Sequence, residues 1–125
     1  MPGFIPHLVA GCAMFIIGRY YFREYFDGSD KIKERLFLAV VCILFSFIPD
    51  VFLIVYYSTH LVSFEAVLSY HELSHVLWGP IAIAALIIFR YGIQTKREPI
   101  WLMGFWSIVV HMFMDVLVQE SSVWF

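Results

Sequence analysis

Residues 36–57 read LFLAVVCILFSFIPDVFLIVYY. Apart from Ser46, Pro49 and Asp50 the run is apolar, and at about 1.5 Å per helical residue its length matches the roughly 30 Å hydrocarbon core of a bilayer. The same criterion selects Phe4 to Phe22, His71 to Gly92 and Ile100 to Val118. Four crossings joined by short connectors predict an all-α integral membrane four-helix bundle, up-down-up-down, with residues 1–125 as a single transmembrane domain. Composition agrees: 62% of the chain is hydrophobic and 14% charged, which is outside the range of an ordinary soluble domain. No stretch has the composition of a linker, a low-complexity tract or a repeat.

The connectors set the orientation. Arg23 to Arg35 is charged and contains the turn-like Asp27-Gly28-Ser29-Asp30; Ser58 to Tyr70 is mildly polar with Glu65 as its charge; Ile93 to Pro99 is a tight polar turn. All eight basic residues (Arg19, Arg23, Lys31, Lys33, Arg35, Arg90, Lys96, Arg97) lie in or beside the first and third connectors. Positive residues stay in the cytoplasm, so both termini are expected on the non-cytoplasmic side of the cell (inner) membrane. Basic clusters of this size serve topology and give no support to nucleic-acid binding. Met1 to Leu8 contains no Lys or Arg, unlike the n-region of a secretory signal, so the first helix is expected to be retained. Cys12 and Cys42 fall in different apolar runs and read as small apolar side chains, making neither a disulfide nor a metal pair. Tyr56, Tyr57, Trp101, Trp106 and Trp124 read as interfacial or lipid-facing anchors.

The remaining ionisable residues in or at the ends of the spans are His7, Asp50, His71, Glu72, His75, His111 and Asp115. A charged or titratable group in hydrocarbon is costly unless paired or coordinating, so such residues mark function by default. Alternating helix direction brings these positions to one side of the bundle, roughly 3 to 15 Å from the span midpoints toward the non-cytoplasmic face. His71 and His75 are one helical turn apart, as are His111 and Asp115, so each pair shares a face and offers two ligands to one ion. Pro49 beside Asp50 is expected to break the second helix next to the site. For these pairs the structural alternative is an interhelical hydrogen-bond network. His60 reads as an ordinary loop histidine, and Gly11 and Gly18 as points of close helix contact within the chain or in an oligomer.

His71-Glu72-Leu73-Ser74-His75 also matches HExxH, in which two histidines hold zinc and the glutamate activates water. That reading gives an intramembrane metalloprotease with His111 or Asp115 as third ligand, and leaves His7 and Asp50 without a role.

The wider set of motifs resembles the LexA-regulated, predicted inner-membrane metal-dependent hydrolase family, itself distantly similar to the zinc-dependent phospholipase C and P1 nuclease group. The resemblance runs from Pro6-His7-Leu8-Val9-Ala10-Gly11 through Ile48-Pro49-Asp50 and the His71/His75 segment to Gly104 and His111-Met112-Phe113-Met114-Asp115. Two positions depart from the pattern. Phe52 stands where a second aspartate is usual, and the paired-histidine segment is shorter. The resemblance implies hydrolysis dependent on a metal.

The residues and the resemblance together predict one or two divalent ions, zinc first, held by His7, Asp50, His71, His75, His111 and Asp115. Asp50 and Glu72 are the catalytic candidates, with Glu72 a base or an additional ligand. A site in the outer half of the bilayer suits a membrane lipid or lipid-linked phosphoester. The non-enzymatic alternative is a haem or metal-binding membrane subunit, for which histidines on facing helices supply axial ligands.

Overall fold

The computed structural model describes residues 4–59, 61–93 and 95–117. His60, Trp124 and the end of the fourth expected span at Val118 lie outside the described residues. In chain order the elements are α1 (Phe4–Tyr21), α2 (Arg23–Phe26), a 3-10 turn (Ser29–Lys31), α3 (Ile32–Phe45), a second 3-10 turn (Ile48–Asp50), α4 (Val51–Thr59), α5 (Phe64–Tyr91) and α6 (Glu98–Leu117). The described residues contain no strand.

Helices α1, α5 and α6 are each long and apolar enough to cross a membrane; the expected span 36–57 is instead a broken pair, Ser29–Phe45 and Ile48–Thr59, bent by 44°. Pro49 explains the break. It has no N–H to return to the Phe45 carbonyl, so the ladder tightens into three-residue steps and the Asp50 N–H donates to the Phe47 carbonyl at 3.1 Å. The Ser46 carbonyl is thereby left outside the helical ladder, which matters below.

Several boundaries differ from the sequence reading, with α3 beginning at Ile32 and not at Leu36. Helix α5 begins at Phe64 and not at His71, so most of the second connector is helical, capped by the Ser63 hydroxyl accepting from the Ala66 N–H at 3.4 Å. Helix α6 begins at Glu98, with Pro99 in its first turn, where a missing N–H costs nothing. The first connector also carries the short helix α2.

Helix α6 packs against α1, α3 and α5; α1 also packs on α3, and α4 lies along α5. Glycines permit close approaches between these helices. A Cβ at Gly11 would stand 2.9 Å from Ile43 Cα, and one at Gly104 would stand 2.6 Å from Val41 Cγ1. The same geometry places Gly18 against the Met103 side chain of α6, a contact within the chain. Phe26, Leu38, Cys42 and Ile100 are fully buried in the core; Cys12 is exposed on α1. Trp101, expected as an anchor, packs inward against Phe37 and Phe45.

The outward faces are as apolar as the core. On α5, Val76, Leu77, Ile83, Ile87 and Ile88 are exposed, and little of its most apolar window is buried. A helix that is apolar on both its inner and outer sides suits a membrane span. At one end of the molecule the two basic connectors meet, where Arg97 pairs with Glu34 at 3.2 Å and its guanidinium covers the Phe37 ring at 5.0 Å. His7, near the start of α1, and Asp115, near the end of α6, lie at the other end of those helices.

Candidate metal centre

Four elements deliver one polar cluster: His7 from α1, Asp50 from the broken segment, His71 and His75 from α5, and His111 and Asp115 from α6. His7, Asp50, His71 and His111 are wholly buried, while the side chains of His75 and Asp115 keep a small exposed edge. Phe52, two residues beyond Asp50, is exposed and stacks on Tyr70, outside the cluster.

The two histidines at the centre have their tautomers set by backbone carbonyls. His111 Nδ1 lies 2.7 Å from the Ser46 carbonyl, the group released by the Pro49 break, and His75 Nδ1 lies 3.0 Å from the His71 carbonyl one turn back. A carbonyl only accepts, so each Nδ1 carries the proton and, in a neutral ring, each Nε2 presents a lone pair. Those Nε2 atoms face one another at 3.2 Å. Both also face Asp115 Oδ2, at 2.5 Å from His75 and 3.0 Å from His111, and both stand 3.6 Å from Asp50 Oδ1.

Four such groups converging in a buried space repel one another unless a proton or a metal cation sits among them. One atom from each of Asp50, His75, His111 and Asp115 falls within 4.8 Å of the others. Ligands bound tetrahedrally at about 2.0–2.1 Å from a zinc-type ion stand roughly 3.3–3.4 Å apart. The observed separations bracket that value, and the carbonyl-anchored histidines have the outer-sphere support typical of metal ligands. The residues therefore fit a divalent ion. No lysine or arginine is available to neutralise the carboxylates, because all eight lie in or next to the first and third connectors.

His7 and His71 form a second tier. The His7 ring stacks on His111 at 4.1 Å, with Nε2 at 3.2 Å from Asp50 Oδ2, and His71 packs on His75 at 4.1 Å, with Nδ1 at 3.5 Å from Asp50 Oδ1. Neither belongs to the four-atom group. Glu72 is exposed on α5 and also lies outside that group. HExxH chemistry places both histidines on one ion and the glutamate beside its water, an arrangement that this geometry does not assemble.

Two serines that the motif reading passed over hold the site together. Ser74 donates to the Pro49 carbonyl at 2.7 Å, tying α5 to the break, and the single Ser46 hydroxyl proton is shared between the Ile43 carbonyl at 2.7 Å and the His7 carbonyl at 3.0 Å, where α3 meets α1. Both are buried polar residues inside apolar runs, which was the signal available. No family model matches the chain, and no curated protein or solved structure matches it significantly.

Proposed function

We propose that this chain is a membrane-embedded metal-dependent hydrolase in which Asp50, His75, His111 and Asp115 hold a zinc-type ion. The observation that carries the reading is the convergence of two lone-pair Nε2 atoms and two carboxylate oxygens in a buried site without another cation. Mixed imidazole and carboxylate donors favour zinc, with manganese or iron as substitutes. When bound, such an ion supplies a water ionised near neutral pH and polarises a phosphoryl or carbonyl oxygen. Asp50, His75, His111 and Asp115 would hold such an ion, with the Ser46 and His71 carbonyls holding the His111 and His75 rings in register.

A lipid-like phosphoester is the substrate class. Two apolar hollows lie along α1, one lined by Ile5, Val9, Val110 and Met114 and the other, of about 490 Å³, lined by Tyr21, Ile87, Arg90 and Trp106; Met14 and Ile17 line both. Hollows of this kind suit an alkyl chain, which is the reason to favour an amphiphile over a soluble metabolite. The asymmetry of the basic residues supports an up-down-up-down bundle with both termini, and hence the site, on the non-cytoplasmic side of the cell membrane. The order of the motifs, resembling the LexA-regulated inner-membrane hydrolases, points the same way.

The test is turnover by detergent-purified, zinc-loaded protein on a panel of lipid phosphoesters beside a transmembrane peptide. Phosphoester cleavage that is lost in Asp115→Ala is expected. Peptide cleavage with the lipids left intact would overturn the substrate class in favour of the protease.

A further inference from the structure

The four-atom group uses one oxygen of each carboxylate, and the structure shows where the other oxygens go. Asp50 Oδ1 stands 3.6 Å from both His75 Nε2 and His111 Nε2, while its Oδ2 stands 3.2 Å from His7 Nε2. Asp115 divides the same way: Oδ2 serves His75 and His111, and Oδ1 lies 3.9 Å from His7 Nε2. His7 is wholly buried, and both its ring nitrogens, both Asp50 oxygens and Asp115 Oδ1 lack any hydrogen-bond partner among the described residues. Polar atoms buried this deeply without partners cost roughly 1–3 kcal/mol each, so a site that gathers five of them calls for a ligand.

We propose that Asp50 and Asp115 bridge two divalent ions, one on the His75/His111 side and a second held by His7 Nε2, Asp50 Oδ2 and Asp115 Oδ1. This rests on the metal-dependent reading above and deepens it. The 3.2 Å contact already matches the spacing of two donors on one ion, and the 3.9 Å contact requires a closure of about half an ångström. Two carboxylates spanning a pair of ions fit the separation of about 3.5–4 Å found in two-metal hydrolytic sites.

Charge gives the second ion a purpose. One divalent ion cancels the two carboxylates and leaves four neutral imidazoles, a site with no attraction for an anion. Two ions leave the centre about two charges positive in a low-dielectric setting, where a phosphate-type oxyanion is strongly attracted. With three protein donors, the His7 side also keeps open positions for that oxyanion and for water. His71 Nδ1 stands 3.5 Å from Asp50 Oδ1, and both its ring nitrogens are buried without a hydrogen-bond partner among the described residues, so it adds to the unsatisfied polar atoms around Asp50.

The experiment is metal stoichiometry after loading with manganese, by elemental analysis and electron paramagnetic resonance, for wild type, His7→Ala, His7→Gln and His111→Ala. The wild type is expected to hold about two ions per chain with a spin-coupled spectrum, and the His7 variants about one with an uncoupled spectrum. A wild type with one uncoupled ion that the His7 variants retain would overturn the second site and leave the hydrolase reading standing. A wild type that binds no ion would remove both. The spectrum of the wild type decides the matter even if the His7 variants fail to fold.

Discussion

At the scale of single residues, the centre depends on groups that fix its ligands as much as on the ligands. Among the described residues the Ser74 hydroxyl is the one side-chain donor on the Pro49 carbonyl, and Pro49 adjoins Asp50. Ser74→Ala is expected to weaken metal affinity by about 10–100-fold, as is usual when an outer-sphere partner of a ligand is removed, read by competition with a coloured chelator. Unchanged affinity would mean that the backbone holds Asp50 unaided. Glu72→Gln is expected to leave metal content and turnover within about 2-fold, because surface substitutions away from a site have little effect. A loss of turnover beyond about 10-fold with zinc retained would restore HExxH chemistry, in which this glutamate is the base. Six of the seven ionisable residues singled out in the spans meet in space, because each is too costly in lipid to be there for another reason. The seventh, Glu72, is exposed on α5 and lies outside the four-atom group. Ser46 and Ser74 went unread because a serine in a span is cheap enough to need no explanation.

Among the elements, the broken segment matters most. Pro49 exposes the carbonyl that sets the His111 tautomer, so Pro49→Ala would offer an N–H to Phe45, allow a regular helix and withdraw Ser46 from His111. The expected result is a variant at least as helical as the wild type, by circular dichroism, with about 10-fold or greater loss of metal affinity. Tight metal binding by this variant would show that the break is incidental. Gly11 is the corresponding point on α1, one turn beyond His7 and against α3. Gly11→Val is expected to cost roughly 1–3 kcal/mol through overpacking, seen as a lower thermal midpoint, since its Cβ would meet backbone that cannot yield. The break was legible in the sequence from a single proline, whereas the early start of α5 was not. Apolar run length reports where a helix meets lipid, and a Ser-capped helix can begin well before that.

Across the whole molecule, apolar surface outside and a polar centre inside follow from one solvent, the bilayer. The contact of the two basic connectors through Arg97 and Glu34 puts the positive charge at one end, with the His/Asp cluster toward the other end of α1 and α6. Both chain ends are therefore expected to report a non-cytoplasmic position when fused to topology reporters, and a cytoplasmic C-terminus would reverse the side on which the substrate is met. The central claim, that the cluster is a metal centre, is tested most directly by the metal content of wild type and a His75→Ala, His111→Ala double variant. Both are purified in detergent without chelator or nickel affinity, and checked for helix content. A zinc-type ion present in the wild type and absent from an equally helical double variant is the predicted result. A wild type that is folded, helical and metal-free after zinc loading would contradict it and leave the cluster as a hydrogen-bonded core.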